Sequence, residues 1–158
     1  MNENKIERRP VKQEGYGWGT PCLVVDDGDD AIEAYTQVFW FRLDNCMRDE
    51  HGKVSFAKLS YKDFGLHICD VNSSCCGVQG CKTPRGMGVM SPVSLYLYID
   101  DVDAVVERAR ERGLKVLQEV KVMFWGDEMC TVEDASGYIW NFARNVADFD
   151  ASKKPSNC

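Results

Sequence analysis

Apolar and polar positions along the chain fall into short blocks with two distinct periods. Leu23-Val-Val25 is an apolar run that ends in Asp26-Asp27. Ile32, Tyr35 and Phe39 then recur at the spacing of one helix face. Strand-like runs follow near 41–46, 54–61 and 66–70, punctuated by Asp49-Glu-His-Gly52 and Lys62-Asp-Phe-Gly65 as turns. A loop over 71–91, rich in Gly, Ser, Cys and Pro, interrupts the pattern. The order then repeats. Leu97-Tyr-Ile99 ends in Asp100-Asp101, and Val102, Val105, Val106 and Ala109 mark a second helix face. Strands are expected near 115–120, 128–133 and 138–143, with Asp134-Ala-Ser-Gly137 as a turn. Asp29 or Asp30, and Asp101 or Asp103, suit helix N-cap and first-turn positions, and Gly113 suits a C-cap.

The second apolar run begins 74 residues after the first. The pattern predicts an α+β fold, a βαβββ unit used twice, with module one over 18–70, a linker over 71–91 and module two over 92–147. Residues 1–17 read as a flexible arm and 148–158 as a flexible tail. A βαβββ unit carries its helix on one sheet face. Two such units leave their other faces to line a cupped mixed sheet, and concave surfaces of that kind favour small ligands.

Composition narrows the partners. With 19 Lys plus Arg against 25 Asp plus Glu, the net charge is −6. Phosphate backbones and anionic membranes call for a basic face, so neither nucleic acid nor membrane is expected as a partner. No run approaches the ~18 apolar residues of a membrane span. The start has no apolar core of a secretion signal, which points to the cytoplasm and to reduced thiols. Of the eight cysteines, Cys22, Cys69 and Cys130 sit in apolar runs. Cys75, Cys76 and Cys81 share the Gly/Ser-rich loop. They read either as thiols carried by a flexible loop, as soft-metal donors together with Cys69, or as a disulfide formed on oxidation. Gly15-Tyr-Gly-Trp-Gly19 precedes a strand rather than opening a helix, so it is no phosphate cradle.

The arrangement resembles the vicinal oxygen chelate superfamily, which includes glyoxalase I, extradiol dioxygenases, fosfomycin resistance enzymes and bleomycin resistance proteins. Cys22-Leu-Val-Val-Asp-Asp27 followed by Ala31-Ile-Glu-Ala-Tyr35 is similar to the family's first strand and helix. Tyr98-Ile-Asp-Asp-Val-Asp103 is similar to its second strand–helix junction. Trp125-Gly-Asp-Glu128, then Val132-Glu-Asp-Ala-Ser-Gly137-Tyr-Ile-Trp140, resembles the bleomycin-resistance-type ending, with Ala135 where Pro is usual. The resemblance implies a divalent metal in the cup of the enzymes. Carried over, its ligand positions fall on Thr20, Ser94 and Asn141, with His67 or Cys69 on the fourth strand. Such ions want imidazole, thiolate or carboxylate donors, so no metal or other cofactor is expected.

Alternation along the strand places Tyr96 and Tyr98 on the face of Ser94, and puts Trp140 and Phe142 in the core. Trp125 lies in a Gly-containing loop, followed by Asp127 and Glu128. Those two carboxylates either line the cleft or are solvated loop charges. The candidate ligand-binding set is therefore Trp125, Asp127, Glu128, Tyr96, Tyr98, His67, Asn141 and Ser94. Aromatic planes beside carboxylates suit a partly aromatic ligand, a flat cationic one above all. The leading expectation is a metal-independent, homodimeric protein that binds or sequesters a small molecule. The competing one is a glyoxalase-type lyase, isomerase or dioxygenase with an atypical divalent-metal site.

Overall fold

The computed structural model describes residues 9–73 and 80–156. Cys75 and Cys76 lie outside that range, and Cys81 is a half-buried free thiol. Module one consists of β1 (Cys22–Val25), α1 (Gly28–Gln37), β2 (Arg42–Arg48), β3 (Val54–Tyr61) and β4 (Phe64–Asp70). A single helical turn, α2 (Pro84–Met87), interrupts the linker. Module two consists of β5 (Ser94–Tyr98), α3 (Val102–Arg112), β6 (Lys115–Val122), β7 (Asp127–Glu133) and β8 (Ile139–Asn145).

The duplication read from the sequence is present in the topology. Two four-stranded sheets run in the orders β1-β4-β3-β2 and β5-β8-β7-β6. In each, the first strand pairs in parallel with the last, and the other neighbours are antiparallel. Both helices start the same way, with the carboxylate that ends the Asp-Asp pair. Asp27 accepts from the Asp30 N–H and Asp101 from the Ala104 N–H, each at 3.0 Å. Asp29, Asp30 and Asp103 occupy the first turns, where the helix dipole favours negative charge. Gly113 closes α3 in the left-handed conformation.

The helix-bearing faces of the two sheets feed one hydrophobic core. Tyr35 of α1 and Phe39 just beyond its end reach across to Trp140 and Phe142 of β8, with ring centroids 4.6 to 5.2 Å apart. Trp140 and Phe142 are fully buried, as their alternation requires. Arg112 of α3 pairs with Asp30 and Glu33 of α1. The helices therefore lie inside the seam between modules, and the opposite sheet faces turn outward as two separate half-cups.

One buried carboxylate holds the seam. Asp134, at the turn between β7 and β8, is 3% exposed. It accepts from the Tyr35 phenol at 2.7 Å and from the Trp140 indole at 2.9 Å. The backbone N–H groups of Ser136 and Tyr138 complete its shell. Burial raises its pKa above the ordinary carboxylate value, against the pull of these donors. Gly137 in the same turn has φ +89°, and a Cβ there would stand 2.9 Å from the Arg85 nitrogen, so the turn packs directly on α2.

Beyond β8 the chain folds back. Phe149 meets Phe124 edge-on at 5.9 Å, and the Asp150 N–H donates to the Phe124 carbonyl. Tyr35→Phe removes one donor from a buried carboxylate while conserving shape. It is expected to lower the unfolding free energy by about 1–3 kcal/mol in a denaturant titration.

Candidate functional site

Residues of the open face of the second sheet build a polar aromatic cluster. Leu97 of β5 and Ile99 just beyond it turn into the core, while Tyr96 and Tyr98 remain 43% and 57% exposed. On β8, the register sets Asn141 beside Tyr96 and Ala143 beside Tyr98. On β7, Asp127 stands opposite Asn145. Asp127 is 3% exposed, yet it accepts from both tyrosine phenols at 2.8 Å and from the Asn145 amide at 3.0 Å. The Trp125 indole donates to the Tyr96 oxygen at 3.3 Å.

The loop that carries Trp125 depends on its glycine. Gly126 has φ +97°, and a Cβ there would come within 2.0 Å of the Ala147 carbonyl oxygen. That close approach lets the Gly126 carbonyl accept from the Val146 and Ala147 N–H groups. It also fixes where the indole stands.

The cluster's electrostatics follow from its donors. Burial alone would raise the Asp127 pKa, but Asn145, Tyr96, Tyr98 and Trp125 together outweigh it and lower the value. Burial and the neighbouring carboxylate push Tyr96 up to about 12. Both phenols thus stay protonated around an ionised Asp127.

The expected site residues divide. Tyr96, Tyr98, Trp125 and Asp127 come together in one hydrogen-bonded group. Ser94 and Asn141 share their face, with the Asn141 Oδ1 accepting from Thr131 at 2.8 Å. Glu128, next to Asp127 on a strand, points the other way and pairs with Arg144 at 3.0 Å. His67 stands on the open face of the first sheet. It lines a depression of about 750 Å³ together with Tyr16, Thr20, Arg42, Lys58 and Phe64. The imidazole packs against Phe56 and Tyr16, its Nδ1 lies 3.7 Å from the Cys22 sulfur, and its Nε2 is buried without a hydrogen-bond partner among the described residues. Asn145 was missed because β8 runs two residues past its expected end. Its pairing with Asp127 was the signal that could have found it.

Comparison with known proteins agrees with this architecture. Residues 18–142 match the Glyoxalase/Bleomycin resistance protein/Dioxygenase superfamily, and the chain belongs to it. An uncharacterized protein of Mycobacterium bovis is 31% identical over 129 residues, spanning 82% of this chain and 84% of its own. An uncharacterized protein of Mycobacterium tuberculosis is equally similar and is covered over 75% of its length. The crystal structure of TioX from Micromonospora sp. ML1 superposes with a TM-score of 0.60 at 24% identity, covering 80% of this chain and 97% of TioX. The fosfomycin resistance protein FosX from Mesorhizobium loti gives 0.59 at 14% identity, covering 82% and 92%.

The divalent metal that this superfamily implies does not fit the donors here. Thr20, Ser94 and Asn141 supply two hydroxyls and an amide whose oxygen is already engaged, which leaves the fourth-strand position, His67 or Cys69, as the single imidazole or thiolate donor of the set. Among the described residues no group of three or more His, Cys, Asp or Glu side chains could hold an ion. No helix of the described residues is long and apolar enough to cross a membrane.

Because its folded pKa is lowered, Asp127 contributes stability above the ordinary carboxylate range and loses that contribution as pH falls through its folded value. Asp127→Asn is expected to melt below wild type at neutral pH. The gap should close on acidification, which thermal melts across a pH series would show.

Proposed function

We propose that the chain binds and sequesters a partly aromatic, cationic small molecule on the open face of its second sheet, without a metal ion. One observation carries this reading, the pair of phenols aimed into Asp127. Because both protons point at the carboxylate, the phenol oxygens keep their lone pairs as acceptors, with the Trp125 indole N–H already using part of that capacity at Tyr96. The site therefore offers acceptors and a buried negative charge, with aromatic faces at Trp125, Tyr96 and Tyr98 for stacking. A hydrogen-bonding cation complements that surface, and an anion does not. Fold neighbours described as resistance proteins include FosX and a glyoxalase/bleomycin resistance protein from Streptomyces sp. CB03234. That supports a role in handling small molecules.

The test is a thermal-shift series with a flat aromatic cation that carries N–H donors, such as protonated 9-aminoacridine, and an uncharged analogue of the same shape. At a hundred times its dissociation constant the cation is expected to add about 2.7 kcal/mol of stability. Equal binding of the uncharged analogue, or no binding of either, refutes the reading. Trp125 is half-buried and its indole N–H reaches only the cluster itself, Tyr96 at 3.3 Å and Asp127, so Trp125→Ala should keep most of the stability. It should weaken the cation by about 1–3 kcal/mol in a calorimetric titration.

The half-cups also support a homodimer. Each open face is incomplete by itself, and the segment that leads into β5 exposes Met87, Val89, Met90 and Val93 by 52% to 77%. A second copy would cover these side chains. Light scattering at micromolar concentration is expected to give twice the chain mass.

A further inference from the structure

The first sheet carries chemistry that the ligand reading leaves unused. Cys22 of β1 and His67 of β4 are direct neighbours in the parallel ladder, so both side chains stand on the open face. The Cys22 sulfur is 3.7 Å from the His67 Nδ1, within reach of a thiol hydrogen bond, and Cys22 is exposed. A thiol next to an imidazole is an activated nucleophile in outline. We propose that Cys22 and His67 form a reactive pair that adds to soft carbon electrophiles, the α,β-unsaturated carbonyl compounds, entering the depression of the first sheet.

The surroundings favour that role. Phe56 and Tyr16 wall the imidazole at 4.8 and 5.9 Å, and its Nε2 has no hydrogen-bond partner among the described residues. Lys58, whose ammonium lies 3.7 Å from the Tyr16 ring centre, faces this wall, and Arg42, Asp44, Lys62 and Asp63 also line the depression. Burial, with Lys58 adding to it, keeps the His67 pKa below its ordinary value. At neutral pH the ring is therefore an uncharged base, free to accept the thiol proton on Nδ1. In the addition, sulfur forms a bond to the β-carbon and the carbon–carbon π pair moves to the α-carbon. The proton taken by Nδ1 is delivered there through water. The imidazole is restored, and the product is a thioether on Cys22. No oxidant or reductant takes part.

The step is independent of the cation site on the other sheet, and its test reads a different residue. The full-length chain is treated with acrylamide at neutral pH, and each cysteine is followed by peptide mass spectrometry. Cys22 is expected to react faster than Cys46 and Cys81. His67→Gln, which keeps a polar side chain but cannot take the proton, should slow Cys22 by about a hundredfold, the lower end of what a positioned base contributes. Buried Cys130 monitors the fold, because its labelling accelerates only if the variant unfolds. If it does unfold, the wild-type rate against pH decides. Since the folded pKa of His67 is lowered, the Cys22 rate should rise through an inflection below 6.5, where the ring loses its proton. Equal Cys22 rates in wild type and a folded His67→Gln overturn the proposal. So does a wild-type profile that follows only the ionisation of the thiol.

Discussion

Everything else in the molecule is arranged around a carboxylate that has no water to turn to. Asp134 lies between the modules, and an unpaired charge there would be untenable. Its two side-chain donors come from different halves of the chain, Tyr35 from the first helix and Trp140 from the last strand. Satisfying it therefore fixes how α1 meets the second sheet. Once those rings are seated, Phe39 and Phe142 close the core beside them, and the helices are locked inside the seam. The sheet faces that remain have nowhere to point but outward.

Those faces share a topology and differ in character. The second presents phenols and an indole around an ionised acid. The first presents a thiol beside a neutral imidazole, with Arg42 and Lys58 on its walls. Gene duplication supplies one scaffold twice, and superfolds of this kind acquire function through the side chains placed on them. The contrast arises from a few positions. Tyr96 and Tyr98 of β5 stand where β1 has Cys22 and Val24, and Asn141 of β8 stands where β4 has His67.

The period of the apolar residues made the two long helices legible, while the short apolar runs were read as strands from their length and the turn residues that bound them. Asp101 caps α3 at an expected position, whereas α1 is capped by Asp27, two residues ahead of the expected Asp29, and Asp29 and Asp30 fill its first turn. Alternation also placed Tyr96, Tyr98, Trp140 and Phe142 on their correct faces. Pairing across strands was less accessible. That Asp127 would receive both phenols depends on register, which β8 and a close glycine turn set at a distance. Glu128 was grouped with Asp127 by adjacency, although a strand sends neighbours to opposite sides. His67 was assigned to the same cup because nothing in a single sequence says which faces of two modules look toward each other.

The segments flanking the domain each come to rest beside one of these faces. Tyr16 leans on His67 and is held by Lys58, while Phe149 and Asp150 dock on Phe124, next to the indole of Trp125. Appended sequence is consequently not neutral in this protein. A fusion or affinity handle at the carboxyl end bears on the loop of the tyrosine cluster, and one at the amino end bears on the thiol–imidazole face. The placement of a tag thus selects which of the two surfaces an assay observes undisturbed.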